Sequence, residues 1–289
     1  MSMNLTLART KFIGGSDISA ILGISPWRTA VDLWLDKTQP RADESTIVKR
    51  RGNRLEPYIV DMIVQEHGLQ IVARNQRYVD AEVPYFAAEI DAETADANIE
   101  IKTVHPFKAR DWGMQETDEL PLHYVAQAQW GLSVHGRRMC HVFALIGDDL
   151  RHYEVARDDE TINAMRTQAQ EFWERYVLPN LRPPLDFANT LTLETLRRLY
   201  PGTDGTSIEA TAMHEHWRAV MQTAQESLKR YEGVIDGARA HIMAEMGNAA
   251  LLRFSDGKSF QRKQVTRKGY TVEPSTYIDL RIVNSKEQQ

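Results

Sequence analysis

The stretch Asp91-Ala-Glu-Thr-Ala-Asp-Ala-Asn-Ile-Glu100-Ile-Lys102 begins with a carboxylate and ends with a second carboxylate and a lysine, and its polar middle predicts a hairpin turn. Residues 99–104 alternate apolar and polar side chains, as a half-buried β-strand does. Side chains two apart in a strand project to the same face, so Glu100 and Lys102 are expected to point the same way. The polar turn over residues 94–98 can fold Asp91 back beside Glu100, where two carboxylates repel unless a proton or a cation lies between them. Taken alone, the stretch fits either a divalent-metal site beside a phosphate or a polar hairpin with an exposed Glu–Lys pair.

Length and composition are those of an ordinary globular protein. The 289 residues suffice for one large domain and a smaller one, and 42% hydrophobic with 26% charged residues is the balance of a soluble chain. No apolar run is long enough to span a bilayer, so the sequence predicts a cytoplasmic protein without membrane contact. The single Cys140 excludes an intrachain disulfide, a zinc ribbon and an iron–sulfur cluster. The net charge of −5 does not exclude a DNA partner, because carboxylates that hold cations add negative formal charge.

Glycines and a hydroxyl near the N-terminus predict a place for an anion. A short helix is expected after Gly14-Gly15, with Ser16 or Asp17 as its N-cap and Gly23 at its end. The free amides and the positive dipole end of such a helix can hold a phosphate. A second helix is expected to begin at Ser25 and the proline that follows it.

Residues 47–67 carry apolar side chains at helical spacing and stop before Gly68, which predicts one amphipathic helix. Its first half holds Arg51, Arg54 and Glu56. These charges fit either a solvated helix face or a ridge that contacts phosphates and delivers one acid to the hairpin.

The chain beyond the hairpin continues the alternation of helices and strands. A helix over residues 122–135 places Tyr124 and Gln127 on neighbouring turns of one face. Strands over 139–146 and up to 155 form a second hairpin, and a helix over 159–178 follows. Repeated alternation around a central hairpin predicts an α/β domain.

Proline and glycine clusters divide the chain. We predict a domain over residues 1–188, a linker with a short helix over 189–206, and a C-terminal region over 207–289. In the last region an apolar stripe at helical spacing runs to Met246 and predicts a long helix, followed by a small β region. A stripe of that length is expected to pack against another helix, the first domain or a second subunit.

Five motifs, in sequence order, resemble those of one protein family. They are Gly14-Gly-Ser16-Asp17-Ile with the following Leu22-Gly-Ile-Ser-Pro26, Arg51-Gly-Asn-Arg54-Leu-Glu56-Pro57, Asp91, Glu100-Ile-Lys102, and Tyr124-Val-Ala-Gln127-Ala-Gln129. Over residues 9–180 the chain resembles the YqaJ-type viral recombinases, which are related to phage lambda exonuclease within the PD-(D/E)XK nuclease superfamily.

The resemblance implies a restriction-endonuclease-like α/β core, a mixed central sheet flanked by helices. The long helix and the small β region, which the residue pattern predicts, are an appendage outside the resemblance. The resemblance also implies Mg²⁺, or Mn²⁺ in its place, as two ions per site. The implied metal ligands are Asp91, Glu100, Glu56 and the backbone carbonyl of Ile101. Lys102 would position or activate the attacking water, and Gln127 would lie beside the site.

The same resemblance implies contacts with DNA. Arg9 and Ser16 fall where the family holds a terminal 5′-phosphate, and the further DNA contacts would be Arg51, Arg54 and Tyr124. The chain departs from the family at three neighbouring positions, with Glu89 in place of a small hydroxyl residue, Ile90 in place of a proline and Ala92 in place of a glycine.

The implied function is a Mg²⁺-dependent 5′-to-3′ exonuclease that resects linear duplex DNA to 3′ single-stranded tails for phage-type recombination in a bacterial host. Relatives form a ring-shaped trimer and act with a single-strand annealing protein, so both are implied partners. Two alternatives stay open. One is a nuclease of the same superfamily with other polarity or endonucleolytic action, and the other is a DNA-end-binding module without catalysis.

Overall fold

The structure, a computed structural model, describes residues 9–39 and 46–266. The chain divides into two units, one that ends at Tyr200 and one that begins at Pro201. The first unit contains a five-stranded sheet and every residue to which the sequence assigns a role in metal or DNA binding.

Three helices precede the sheet: α1 (Gly15–Ile21), α2 (Ala30–Thr38) and α3 (Ile47–His67). α3 has the predicted bounds. Thr46 caps its start by accepting a hydrogen bond from the Lys49 amide, and Gly68 ends it with a left-handed φ of 68°.

The start of α2 differs from the prediction, and the expected start at Ser25 is wrong. The Thr29 hydroxyl accepts the amide hydrogen of Asp32 at 3.1 Å, and the Asp32 carboxylate accepts the amide hydrogen of Thr29 at 3.0 Å. This reciprocal capping box satisfies two backbone donors at the helix end. Ser25 instead accepts hydrogen bonds from the amides of Trp27 and Arg28 in the preceding turn.

The sheet has the order β1-β2-β3-β4-β5. Its strands are β1 (Ala73–Val79), β2 (Ala87–Glu93), β3 (Ala97–Val104), β4 (Met139–Ile146) and β5 (Asp149–Ala156). Neighbouring strands are antiparallel except for β3 and β4, which run parallel. A parallel pair needs a crossover connection, and α4 (Leu122–His135) lies in the crossover between these two strands.

Both faces of the sheet are covered, because successive side chains of a strand point to opposite faces. On one face, Val142 of β4 belongs to a core with α1, α4 and the following helix α5 (Asp159–Phe172), which ends in a π-helical turn over Trp173–Val177. On the other face, Phe143 packs with Ile59 and Ile63 of α3. The predicted α/β class, a mixed central sheet flanked by helices, is confirmed.

The short helix of the predicted linker, α6 (Thr192–Leu199), is hydrogen-bonded to α2. The Thr195 hydroxyl donates to the Asp32 carboxylate at 2.6 Å, and Arg198 forms an ion pair with Asp36 at 2.5 Å. Thr195 is 1% exposed, so this helix is anchored on the first unit, which extends to Tyr200.

The second unit consists of α7 (Ala212–Met246) and a hairpin of β6 (Leu251–Arg253) and β7 (Ser259–Gln261). The predicted C-terminal long helix and small β region are confirmed as far as residue 266. Within the part of the chain that the structure describes, the apolar stripe of α7 is largely exposed, as Trp217 and Leu228 illustrate at 59% and 60% exposure. No helix of the described ranges combines the length and hydrophobicity that crossing a bilayer requires.

Candidate active site

The β2–β3 hairpin brings Asp91 to the side of β3. The antiparallel ladder between the strands covers the pairs Ala92–Ile99 and Glu93–Asn98, which lie nearest the turn. Beyond these pairs, the Ile101 amide donates to the Asp91 carboxylate at 2.8 Å instead of to the backbone of β2. A carboxylate that replaces a backbone acceptor is fixed in position, so Asp91 faces the segment that carries Glu100 and Lys102.

Glu100 is the centre of a hydrogen-bonded group. It is 6% exposed, the Lys102 ammonium donates to its Oε1, and the Gln127 side-chain amide donates to the same oxygen at 2.6 Å. The Lys102 nitrogen also lies 5.1 Å from the centre of the Tyr124 ring, a cation–π distance. The structure thus brings four of the predicted residues together, two from β3 and two from α4.

The charges of this group depend on one another. Burial raises the pKa of the Asp91 carboxyl well above its ordinary value, and the Glu100 charge raises it further against the opposing effect of Lys102. Burial lowers the pKa of Lys102, but the carboxylates of Glu100 and Asp91 outweigh this effect, and the pKa lies above its ordinary value. Lys102 is therefore held as a cation, while two buried carboxylates compete for one region of space.

A third acid comes from α3. Glu56 is half-buried, and its pKa is raised by burial and by the charge of Glu100, while a hydrogen bond with Asn75 opposes the shift. Asn75 lies in β1 with a left-handed φ of 52°, a conformation that asparagine adopts more readily than most residues. Asn75 has no place in the sequence prediction. Its left-handed backbone leaves no pattern in the sequence, and its contact joins distant elements.

The donor set fits a hard divalent cation. Asp91, Glu100 and Glu56 offer carboxylate oxygens, and oxygen ligands are those that Mg²⁺ and Mn²⁺ prefer. Burial disfavours the negative forms of Asp91 and Glu56, as their raised pKa values show, and a cation would remove that penalty. Ile101 connects the set through its amide, which donates to Asp91.

A second polar group lies at the start of α1. Arg9 donates to the Ser16 hydroxyl at 2.7 Å, so the two residues predicted to hold a 5′-phosphate are in contact. Arg9 also forms an ion pair with Glu89 at 3.3 Å, and Arg77 contacts the same carboxylate. Glu89 therefore shares its negative charge between two arginines beside the hydroxyl.

The Arg9–Ser16 pair rests on a buried ionic group that no sequence motif predicts. The Lys37 ammonium donates to Asp17 at 2.7 Å and to the carbonyl oxygens of Arg9 and Phe12, and Arg28 contacts Asp17 at 2.6 Å. Burial by itself raises the pKa of Asp17, but the charges of Lys37 and Arg28 outweigh it and the pKa lies well below its ordinary value. The charges of this group come from α1, α2 and the turn between them, so only the folded chain brings them together.

Close packing joins the two groups. A Cβ added at Gly15 would lie 3.1 Å from the Gln127 Cγ and 3.3 Å from the Gln127 carbonyl oxygen. Gly15 precedes Ser16, and Gln127 donates to Glu100, so α1 and α4 set the position of one group against the other.

The predicted DNA contacts Arg51 and Arg54 are exposed on α3, the helix that carries Glu56. Gly52, beside Arg51, faces Thr103 of β3, since a Cβ there would lie 3.5 Å from the Thr103 hydroxyl. The basic part of α3 therefore lies along the strand that holds Glu100 and Lys102.

Sequence comparison relates the chain to one family. A family model for the YqaJ-like viral recombinase domain matches residues 6–138. The protein YqaJ of Bacillus subtilis (strain 168), itself described as uncharacterized, is 31% identical over 251 residues, which are 84% of this chain and 77% of that protein.

Solved structures that the comparison finds include an alkaline exonuclease (LHK-Exo) from Laribacter hongkongensis, with a TM-score of 0.49 and 19% identity over 60% of this chain and 91% of that one. LHK-Exo in complex with dAMP gives a TM-score of 0.50 and 18% identity, over 68% of this chain and 97% of that one. The latter match shows a shared fold, the mixed sheet flanked by helices.

Proposed function

Because the chain belongs to the YqaJ-like viral recombinase family, we propose that it is a metal-dependent deoxyribonuclease that digests linear duplex DNA from its 5′ ends. The digestion releases nucleotides from one strand and leaves a 3′ single-stranded tail. The reaction is hydrolysis: water attacks a phosphorus atom, and the bond from that phosphorus to the 3′ oxygen breaks.

The observation that carries the proposal is the group on the β2–β3 hairpin, in which Asp91 accepts from the Ile101 amide and Lys102 donates to Glu100, with Glu56 of α3 near enough to be affected by their charges. Asp91 and Glu100 come from the β2–β3 hairpin and Glu56 from α3, and their charges are mutually unfavourable in the absence of a cation. Lys102 lies beside them with its side chain only 17% exposed, and it is ion-paired to Glu100. A polar hairpin with an exposed Glu–Lys pair would show none of this burial.

The side chains divide the work of the reaction. Asp91, Glu100, Glu56 and the Ile101 carbonyl would hold Mg²⁺ or Mn²⁺, as the two ions per site that the family resemblance implies. When bound, such cations neutralise developing charge on the phosphate and favour hydroxide near neutral pH. Lys102 holds a positive charge beside Glu100 and orients the attacking water, and Gln127 fixes the Glu100 carboxylate that Lys102 contacts.

The Arg9–Ser16 pair would hold the terminal 5′-phosphate. The hydroxyl and the guanidinium are 2.7 Å apart and offer several donors to phosphate oxygens. Glu89 already pairs with Arg9 and Arg77, so a phosphate would replace a carboxylate as the partner of these arginines. The DNA strand that enters the proposed metal site would be contacted by Arg51, Arg54 and Tyr124.

Partners follow from the same activity. The substrate is a duplex DNA end, the 3′ tail would be received by a single-strand annealing protein, and the enzyme would act as a homo-oligomer, a trimer by family resemblance. The place of action would be the cytoplasm of a bacterial host.

The test uses two linear DNA substrates and one circular DNA substrate, each with Mg²⁺. A duplex labelled at its 5′ ends, the same duplex labelled at its 3′ ends, and a covalently closed circle are incubated with the full chain. We expect mononucleotide release from 5′ ends, retention of the 3′ label and an intact circle. Asp91→Asn serves as the matched variant and should release nothing.

Each other outcome contradicts part of the proposal. Cutting of the circle would indicate an endonuclease, and release of the 3′ label would indicate the opposite polarity. Intact substrates with shifted mobility would indicate a DNA-end-binding module. Normal cleavage by Asp91→Asn would show that the acids of the hairpin are not the site.

A further inference from the structure

A second group of ligand-type side chains lies on β4 and β5, on the face of the sheet where Phe143 packs against α3 and stacks on His152. His141 of β4 and His152 and Glu154 of β5 bring one ligand atom each to within 4.8 Å of one another. Among the residues that the structure describes, this is the one group of three or more histidine, cysteine, aspartate or glutamate side chains with this geometry. The proposed nuclease activity does not use them.

The two imidazoles face each other directly. His141 Nδ1 and His152 Nε2 are 2.9 Å apart, and His141 Nδ1 is 3.7 Å from a Glu154 carboxylate oxygen. The His152 side chain is 8% exposed and that of Glu154 is 43% exposed. The group is therefore buried on one side and open to water on the other.

A carboxylate outside the group fixes the orientation of His152. The Glu116 carboxylate lies 2.9 Å from His152 Nδ1, so that nitrogen carries the proton and Nε2 presents a lone pair to His141. The Glu116 amide also donates to the His152 carbonyl oxygen at 2.9 Å, which holds the loop against β5. Histidine ligands of metals commonly have such a carboxylate on their second nitrogen.

We propose that His141 Nδ1, His152 Nε2 and the Glu154 carboxylate bind one transition-metal ion of the Zn²⁺ class, with water completing the coordination. Two imidazoles and a carboxylate with an open position make a known zinc ligand set. Two nitrogens about 2.05 Å from one tetrahedral ion lie about 3.3 Å apart, so the present 2.9 Å spacing must widen by a few tenths of an ångström.

Metal binding requires the His141 proton to move from Nδ1 to Nε2. Without metal, His141 Nδ1 donates to His152 Nε2, because His152 keeps its own proton on Nδ1 for Glu116. With metal, His141 carries its single proton on Nε2 and presents the Nδ1 lone pair. Binding thus changes the tautomer of His141 and releases no proton from the pair.

Ligand chemistry separates this site from the acids of the β2–β3 hairpin. Imidazole nitrogen favours Zn²⁺, Co²⁺, Ni²⁺ and Cu²⁺, whereas carboxylates and carbonyls favour Mg²⁺ and Mn²⁺. The ion would tie β4 to β5, and His141 pairs in register with Ile99 of β3, next to Glu100. Its role is to hold the strands that support the first site, independently of what that site does.

The test measures metal binding and stability on the full chain. The metal-free protein, in excess Mg²⁺ to occupy the carboxylates, is titrated with Co²⁺, whose visible absorption reports its ligands. We expect one Co²⁺ per chain, displaced by Zn²⁺, and a rise in Tm with Zn²⁺ that Mg²⁺ does not produce.

Variants locate the site. His141→Gln should abolish the Co²⁺ spectrum, and Glu116→Gln should weaken Co²⁺ binding by about 10- to 100-fold through loss of the orienting carboxylate. Glu154→Gln alters an exposed side chain, so it tests the ligand set in a protein that folds normally. His216→Gln, on the exposed surface of α7, is the matched control and should bind Co²⁺ as the wild type does.

Two results would overturn the proposal. One is a wild-type chain that binds no Co²⁺ in the presence of Mg²⁺. The other is Co²⁺ binding that survives His141→Gln and Glu154→Gln, since the ion would then lie elsewhere, for example at the carboxylates if Asp91→Asn removed it.

Discussion

Lys102 is held at its place by a carboxylate and an aromatic ring. Its ammonium donates to Glu100 and lies 5.1 Å from the Tyr124 ring centre. We expect Lys102→Met to lower the rate of Mg²⁺-dependent cleavage by about 10²- to 10³-fold, because the proposed site loses one fixed positive charge.

The measurement for Lys102→Met is the initial rate of nucleotide release from a 5′-labelled duplex. Binding of the same duplex in Ca²⁺ should change little, because methionine keeps the length and packing of the lysine stem. Lys108→Met is the matched control, since Lys108 is exposed and forms a surface pair with Asp111. A cleavage rate in Lys102→Met equal to that of the control would contradict the assigned role.

The buried position of Asp17 predicts that its replacement lowers the stability of the folded chain. Asp17→Ala leaves the Lys37 ammonium, whose side chain is 3% exposed, without its carboxylate partner. We expect a loss of about 3–5 kcal/mol in the free energy of unfolding, measured by urea titration. Asp61→Ala is the control, because Asp61 is 60% exposed in its pair with Arg74 and should cost no more than about 1 kcal/mol.

The same variant predicts a pH dependence. The pKa of Asp17 is lower in the folded chain than in the unfolded one, so its stabilising effect is complete above the unfolded value of about 3.9 and is lost as the pH falls through the folded value. The stability difference between wild type and Asp17→Ala should therefore be constant near neutrality and shrink in strong acid. A difference that grew as the pH fell would contradict this assignment.

Some residue contacts can be predicted locally and others cannot. The two-residue period of a strand is enough to predict that Glu100 and Lys102 share a face. The contact of Asn75 with Glu56 joins β1 to α3, and it depends on how those elements pack. The Asp17–Lys37 pair likewise forms only once α1 and α2 are placed.

At the scale of elements, the approach of α1 to α4 depends on a missing side chain. Gly15→Ala would place a methyl group 3.1 Å from Gln127 Cγ and 3.3 Å from the Gln127 carbonyl oxygen, closer than ordinary contact. We expect Gln127 to move and its hydrogen bond to Glu100 to weaken, with lower cleavage activity and a stability loss of about 1–3 kcal/mol.

The measurements for Gly15→Ala are the cleavage rate and the urea midpoint. Gly233→Ala is the matched control: Gly233 lies inside α7 and no atom lies within 4 Å of an added Cβ. Alanine should stabilise that helix by up to about 1 kcal/mol and leave cleavage unchanged. Equal behaviour of the two variants would show that the α1–α4 contact does not matter.

Helix bounds show what sequence signals can and cannot predict. The end of α3 follows from Gly68, because glycine adopts the left-handed conformation without a steric penalty. The start of α2 is harder, since a serine before a proline and a threonine three residues before an aspartate both resemble helix starts. Thr29 forms the cap because Asp32 returns its hydrogen bond, and α6 also contacts this pair through Thr195.

At the scale of the whole molecule, the position of α6 sets where the chain can be cut. A chain that ends at Tyr200 keeps Thr195 and Arg198 on α2, whereas a chain that ends at residue 188 removes both. We expect the shorter chain to unfold at a lower urea concentration. Its free energy of unfolding should be smaller by about 1–3 kcal/mol, because the buried hydrogen bonds of α6 are lost. Equal stability of the two chains would contradict this.

The same pair of chains tests assembly. The apolar stripe of α7 is exposed, and we expect residues 201–289 to contribute to the oligomer. The chain ending at Tyr200 should therefore have a lower mass by light scattering than the full chain. Retention of both the oligomeric state and the cleavage activity would show that assembly lies within the first unit.

The architecture was predictable to the extent that periodicity and motif order constrain it. The spacing of apolar residues in each segment predicts whether it is a helix or a strand, and the family resemblance implies a mixed sheet. The pairing of β3 with β4, across the whole of α4, follows from no local signal.

That parallel pairing has a consequence for folding. The β1–β2–β3 and β4–β5 pairings are local along the chain, while the β3–β4 pairing must close a long loop through α4, and such contacts form slowly. We expect β1–β2 amides to gain hydrogen-exchange protection before β3–β4 amides during refolding, and simultaneous protection would contradict this order. A growing chain would then expose an acidic hairpin, with Asp91 and Glu100 already adjacent, until synthesis of β4 allowed α4 to bring Gln127 over it.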